Sequence, residues 1–162
     1  MWLWGIVIAI ALQRLSELVI ARRNTARLLA QGGREHAPGH YPLIVVLHAA
    51  WLIALVVVVP ADATPNFYWL ALLVVMQAAR LWVLVSLGSR WTTRIIVMPD
   101  APLVARGPYR WMRHPNYAVV VVELIALPMV FGAVWIAAIF TVLNAAILTW
   151  RIREEDRALG RG

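Results

Sequence analysis

Between Arg106 and Glu123 the chain gathers side chains that could do chemistry: Tyr109, Arg113, His114, Asn116 and Tyr117, followed by an apolar run that holds one carboxylate. Pro115 suits the first turn of a helix, where its missing N–H costs nothing. The free backbone N–H groups that follow, and the helix dipole, favour an anion at that end. Arg113 and His114 add positive charge or donors there. Glu123 lies eight residues beyond Pro115 and seven beyond Asn116. That spacing puts it on Asn116's face, about 12 Å into the helix. An ionised, unpaired carboxylate is costly in hydrocarbon, so Glu123 needs either partners or a task.

A second polar block, Arg151 with Glu154 and Glu155, follows the last apolar run. If the two runs flanking Phe131–Gly132 form an antiparallel hairpin, His114 and Arg151 lie at one depth, roughly 26–29 Å from the turn. Arg113, His114, Asn116 and Tyr117 then meet Arg151, Glu154 and Glu155. Such a site offers donors to a carboxylate and acceptors to an ammonium. S-adenosylmethionine carries both, plus a sulfonium; a phospholipid headgroup also carries both signs. Taken singly, Arg151 with Glu154 or Glu155 is ordinary helix pairing worth a few tenths of a kcal/mol.

These residues have to be positioned by membrane helices. The 162-residue chain is 62% hydrophobic and 14% charged, with a mean hydropathy of +0.75. A soluble domain carries nearly twice that charge fraction. Apolar runs at about 2–20, 41–59, 67–87, 116–131 and 133–150 predict a single all-α domain, 1–162, of about five transmembrane helices, the last two a tight hairpin. Polar segments at 22–40, 88–115 and 151–162 separate or follow them. With no Cys, disulfides, thiolate chemistry and thiol-ligated metal sites are excluded. No metal-ligand set is assigned.

All 15 basic residues are Arg. Thirteen fall in the three polar segments; Arg14 and Arg80 lie inside spans. The positive-inside rule puts those segments in the cytosol and the N-terminus outside. A net charge of +7 distributed this way points to topology and anionic headgroups rather than nucleic acid. The first run is expected to be a span and not a leader, because its Arg residues follow it. Arg14 and Glu17, three apart, either fix helix rotation or form a wall of the site. His48, alone in the second span, is expected to be a hydrogen-bonded helix contact. Thr92–Met98 is either extended or a surface helix.

Gly107-Pro108-Tyr109, Arg113-His114-Pro115-Asn116-Tyr117 and Arg151 through Glu154-Glu155 resemble the isoprenylcysteine carboxyl methyltransferase family and its phospholipid methyltransferase relatives. The likeness spans roughly residues 88–160. Gln13 to Leu18, with Arg22-Arg23-Asn24, is similar to a small bacterial branch of that family. The resemblance implies an integral membrane methyltransferase, in a bacterial inner membrane, that uses S-adenosylmethionine. Its cofactor pocket would face the cytosol between the last two helices and the tail. Tyr109, Arg113, His114, Pro115, Asn116, Tyr117 and Arg151 belong to that pocket, with Glu154 and Glu155 closing it. The acceptor would be hydrophobic and would enter from the lipid. Small relatives imply O-methylation of lipid-like molecules, phenol or enol hydroxyls included.

Methyl transfer is an in-line displacement in which charge is neutralised, so positioning and a dry site supply much of the rate. A carboxylate acceptor needs only orientation; a hydroxyl needs a base. Glu123 is the candidate base, and Arg80 or Arg14 would orient the acceptor. Two other classes fit parts of the pattern. A small multidrug-type transporter also places a Glu in a short membrane helix. A sterol-reductase-like enzyme would share the Arg-His-Pro neighbourhood and bind nicotinamide.

Overall fold

The computed structural model describes residues 1–99 and 101–160. The last two residues of the expected tail, and position 100 in the middle polar segment, lie outside the described residues. Helix α1 runs Trp2–Ala30, α2 His40–Val58, α3 Phe67–Leu87, α4 Pro115–Val130 and α5 Val134–Ala158. Four of these, α1, α2, α3 and α5, are long and apolar enough to cross a membrane. The protein is thus a helical integral membrane protein. α4 has 16 residues, about 24 Å of helix, less than the roughly 30 Å of a hydrocarbon core.

Two helices run past the expected ends of their spans. α1 was expected to stop near residue 20, yet it continues to Ala30. Nothing between Ala21 and Ala30 breaks a helix; the chain turns only at Gly32, whose φ of +89° suits glycine. α5 likewise carries the polar tail as helix to Ala158. Thr92–Met98 contributes a strand: β2, Ile95–Val97, pairs antiparallel with β1, Arg34–His36. The pair staples the segment after α1 to the one after α3. Arg94 adds an ion pair to Glu35 at 3.0 Å across it.

Direction follows from this. The C-terminal ends of α1, α3 and α5 and the N-terminal ends of α2 and α4 gather at one end of the bundle, with the Arg-bearing segments. The other end holds two short connections, tied by Asn66 N–H donating to the Val130 carbonyl at 2.7 Å. The second of these is the tight hairpin turn: Gly132 has φ +67°, and Ala133 N–H donates to the Pro128 carbonyl at 3.0 Å.

A dry core fills the end with the short connections, built from Leu3, Val7, Trp51, Leu55, Leu124 and Leu127. Outward-facing Leu12, Val46, Ile53, Val57, Val85 and Val142 are exposed, as a lipid-facing belt requires. Toward the Arg-bearing end Glu17, Arg80, Glu123 and Arg151 are buried, and the site lies there.

Candidate functional site

The site has two tiers. The deeper tier is an ion network joining α1, α3 and α4. Glu123, 1% exposed, receives Arg80 on both oxygens: Nε to Oε1 at 3.1 Å and Nη2 to Oε2 at 2.9 Å. Arg14 donates to Oε2 at 2.5 Å and Gln77 to Oε1 at 3.0 Å. Glu17 lies 3.4 Å from both Arg14 and Arg80, and Gln13 donates to it at 3.0 Å. Arg80 reaches on to the Asn116 amide oxygen at 3.4 Å. Two guanidinium and two carboxylate groups make the tier neutral, which is how such charges persist away from water. All three candidate catalytic residues, Glu123, Arg80 and Arg14, therefore meet, and they meet one another. Four donors fill about the four lone-pair sites that a carboxylate has.

The upper tier is where the hairpin closes. Helix α4 starts at Pro115, with His114 as its N-cap, and α5 returns antiparallel beside it. Tyr117 Oη donates to Glu155 and accepts from Arg151 Nε at 2.7 Å. Arg151 Nη1 also donates to the Thr93 carbonyl at 2.8 Å and lies 3.1 Å from His40 Nε2. The His114 ring stacks on Tyr117, with centroids 5.1 Å apart, and lies 3.3 Å from Asp156. Glu154 points elsewhere: it pairs with Arg157 at 2.9 Å, one helical turn on.

Tyr109 reaches this tier because Gly107 folds against α3. Gly107 has φ +59°, and a Cβ there would come within 2.0 Å of the Ser86 hydroxyl. Pro108 is buried and fixes the turn that follows. Burial pushes the Tyr109 phenol above its ordinary pKa, and the Glu155 carboxylate adds to the shift. Tyr109 stays a neutral donor.

A cleft opens between these residues and β2. Tyr109, Arg113, His114, Asn116, Tyr117, Arg151 and Glu155 line its inner lobe of about 140 Å³. An outer lobe of about 330 Å³ continues along Ile96, Met98 and Leu103. Together they fall in the range of about 300–1,000 Å³ typical of small-molecule sites. Of the expected pocket residues, Glu154 faces away and buried Pro115 shapes the helix start without lining the cleft. Trp91 also lines the cleft, and His40, Thr93 and Asp156 contact its residues Arg151 and His114; the sequence reading assigns none of these four to the site. No local pattern marks them: His40 and Thr93 enter through α2 and the strand segment, contacts that only the tertiary fold creates.

Two more spaces lie deeper. An apolar groove of about 330 Å³ runs between α1 and α2, with Leu15, Val45 and Leu52 on its walls and Arg14, Glu17 and His48 at its base. A chamber of about 90 Å³ shares His48 and Thr93 with that groove, and Tyr117, Asn116 and Arg151 with the cleft. Lipid side and polar side thus approach each other across the chamber.

The family model of the isoprenylcysteine carboxyl methyltransferase (ICMT) family matches residues 69–161, more than half of the chain. The uncharacterized protein YpbQ of Bacillus subtilis (strain 168) is 38% identical over 160 residues, which cover 96% of this chain and 95% of the relative. An uncharacterized protein of Haemophilus influenzae is 25% identical over 151 residues, 90% and 88% of the two chains. The matched family region takes in the ends of both tiers contributed by α3, α4 and α5, with Arg80, Glu123, Tyr117 and Arg151.

Proposed function

The chain belongs to the isoprenylcysteine carboxyl methyltransferase family, and from the premise of a membrane methyltransferase we propose that it methylates an oxygen of a hydrophobic, lipid-like acceptor with S-adenosylmethionine. The observation that carries the reading is the adjacency of two unlike spaces: a charged cleft at the Arg-bearing end and an apolar groove between α1 and α2, separated by one small chamber. A polar cofactor and a lipid-like acceptor would each enter from the medium that suits it.

The cleft's residues fit the cofactor. Arg113 lines both lobes and has no ion pair among the described residues, so its guanidinium is free for a carboxylate. Glu155 supplies an acceptor for an ammonium. His114 and Tyr117, already stacked, offer a flat edge to a nucleobase. When bound, S-adenosylmethionine supplies an electrophilic methyl group on a sulfonium. Arg151 holds Tyr117 and the Thr93 backbone in place, and so fixes the wall between cleft and chamber. The ion network fixes the rotation of α4, which lines the chamber, against α1 and α3. Arg14, at the groove's base, is the member of the network placed to orient an acceptor.

The Arg-bearing end would face the cytosol of a bacterial inner membrane, with the N-terminus outside. The test is calorimetric binding of S-adenosylmethionine and S-adenosylhomocysteine to detergent-purified protein, with His114→Ala and Glu155→Gln alongside. We expect binding that both substitutions weaken at least about tenfold, as loss of one charge-assisted contact does. A folded wild type that binds neither nucleoside refutes the cofactor assignment.

A further inference from the structure

The chamber between groove and cleft holds three buried polar groups that have no partner among the described residues: His48 Nε2, Trp91 Nε1 and Asn144 Nδ2. Buried polar atoms are normally satisfied, so three orphans around one small space call for an explanation. Their types are complementary. Nδ1 of His48 lies 2.8 Å from the Ile44 carbonyl, which can only accept. Nδ1 therefore carries the proton, and Nε2 presents a lone pair. Trp91 Nε1 and the Asn144 amide nitrogen can only donate. The residues that line the chamber thus hold one unused acceptor and two unused donors.

Resting on the methyltransferase reading, with the enol or phenol acceptor on an apolar chain that the resemblance to small relatives implies, we infer that His48 is the general base. The chain of such an acceptor lies in the groove between α1 and α2, and its oxygens reach the chamber. The hydroxyl proton goes to His48 Nε2, and Trp91 and Asn144 donate to the acceptor's oxygen atoms. The O–H bond breaks as the oxygen pair forms the new carbon–oxygen bond. The methyl donor's carbon–sulfur bond breaks, and its pair leaves on sulfur as a neutral thioether. The proton on His48 then passes to water once the product has left.

Glu123 cannot take this part as it stands, because Arg14, Arg80 and Gln77 fill its lone pairs. A carboxylate acceptor has no proton to give and would set its own lone pairs against Nε2. The charged groups facing the His48 neighbourhood are Arg14 and Glu17 of α1, Glu123 of α4 and Arg151 of α5. They hold two charges of each sign.

The experiment uses full-length wild type, His48→Gln and His48→Asn. S-adenosylhomocysteine calorimetry reports on folding and on the cleft. A long-chain nitrophenol, bound with no methyl donor present, reports by its absorbance whether it sits as phenol or phenolate. Transfer to a long-chain phenol and to a fatty acid is then compared. We expect wild type to bind the nitrophenol as phenolate and both variants to bind it as phenol. We also expect kcat for the phenol to fall about 10²–10⁴-fold, as loss of a positioned base does, with homocysteine-nucleoside affinity unchanged. The same ionisation state in all three proteins, near-normal phenol transfer by a variant, or a preference of wild type for the fatty acid overturns the assignment. Absence of nucleoside binding by wild type would instead strike the cofactor reading, while the nitrophenol spectrum still decides on His48. Should a variant fail to fold, the phenol form on wild type alone overturns it.

Discussion

Replacing Glu123 by Gln keeps the side chain's size and removes one charge from a site only 1% exposed. The remaining groups no longer balance: Arg14 and Arg80 face a single carboxylate, Glu17, at 3.4 Å from each. The new amide also turns an N–H₂ toward nitrogens that were donating. Breaking a buried pair from one side costs about 3–5 kcal/mol. For a chain of this size, about 2–4 °C per kcal/mol puts the drop in thermal midpoint at about 6–20 °C, read by intrinsic fluorescence in one detergent. The double variant Glu123→Met/Arg80→Met removes a charge of each sign and leaves Arg14 paired with Glu17, so it should recover most of that loss. Cofactor affinity should stay near wild type throughout, because Glu123 does not line the cleft. A Glu123→Gln midpoint within about 1 °C of wild type, against the several kcal/mol expected, would refute the neutral-network argument. So would a double variant no more stable than Glu123→Gln.

Four further substitutions probe other parts. Glu155→Gln should weaken S-adenosylmethionine binding at least about tenfold, and Glu154→Gln should leave it unchanged, because only Glu155 lines the cleft; equal effects in calorimetry would show that the α5 face is misassigned. Gly107→Ala should lower the thermal midpoint and the cofactor affinity together, since its Cβ meets the Ser86 hydroxyl at 2.0 Å on a φ of +59°; wild-type values in both would remove the role given to that turn. Ala49→Trp narrows the groove and should raise KM for long-chain acceptors while S-adenosylhomocysteine binding holds; an unchanged KM would send the acceptor elsewhere.

The helical membrane architecture was legible because apolar runs are long and Arg marks their ends. The hairpin was legible because one turn at Phe131–Gly132 forces the helix lengths on either side to match. That match places Tyr117 against Arg151 and Glu155. Helix ends were less legible. Arg22, Arg23 and Arg27 continue α1 as well as any loop would hold them, since Arg is a good helix former. Glu154 and Glu155 could not be told apart before the rotation of α5 was known. Sequence spacing put Glu123 on the face of Asn116, and Arg80 indeed touches both. It could not say how many donors Glu123 has, because these come from α1 and α3, some 109 and 43 residues away.

That count of donors decides how the site divides its work. A carboxylate in a membrane attracts a functional reading because an unpaired charge there is so costly. The cost is an argument about an unpaired group, and once Arg80, Arg14 and Gln77 are in place it has been met. What remains unexplained by packing is the reverse case, a neutral side chain with an unused lone pair. His48 was the less conspicuous residue in the sequence because a neutral imidazole hydrogen-bonded to the preceding turn is commonplace in membrane helices. Its Nδ1 contact to Ile44 is that commonplace contact. The same contact fixes the tautomer and so leaves Nε2 as a base. The structural role of the ring is what makes a chemical role available, whereas the structural role of Glu123 uses its carboxylate up.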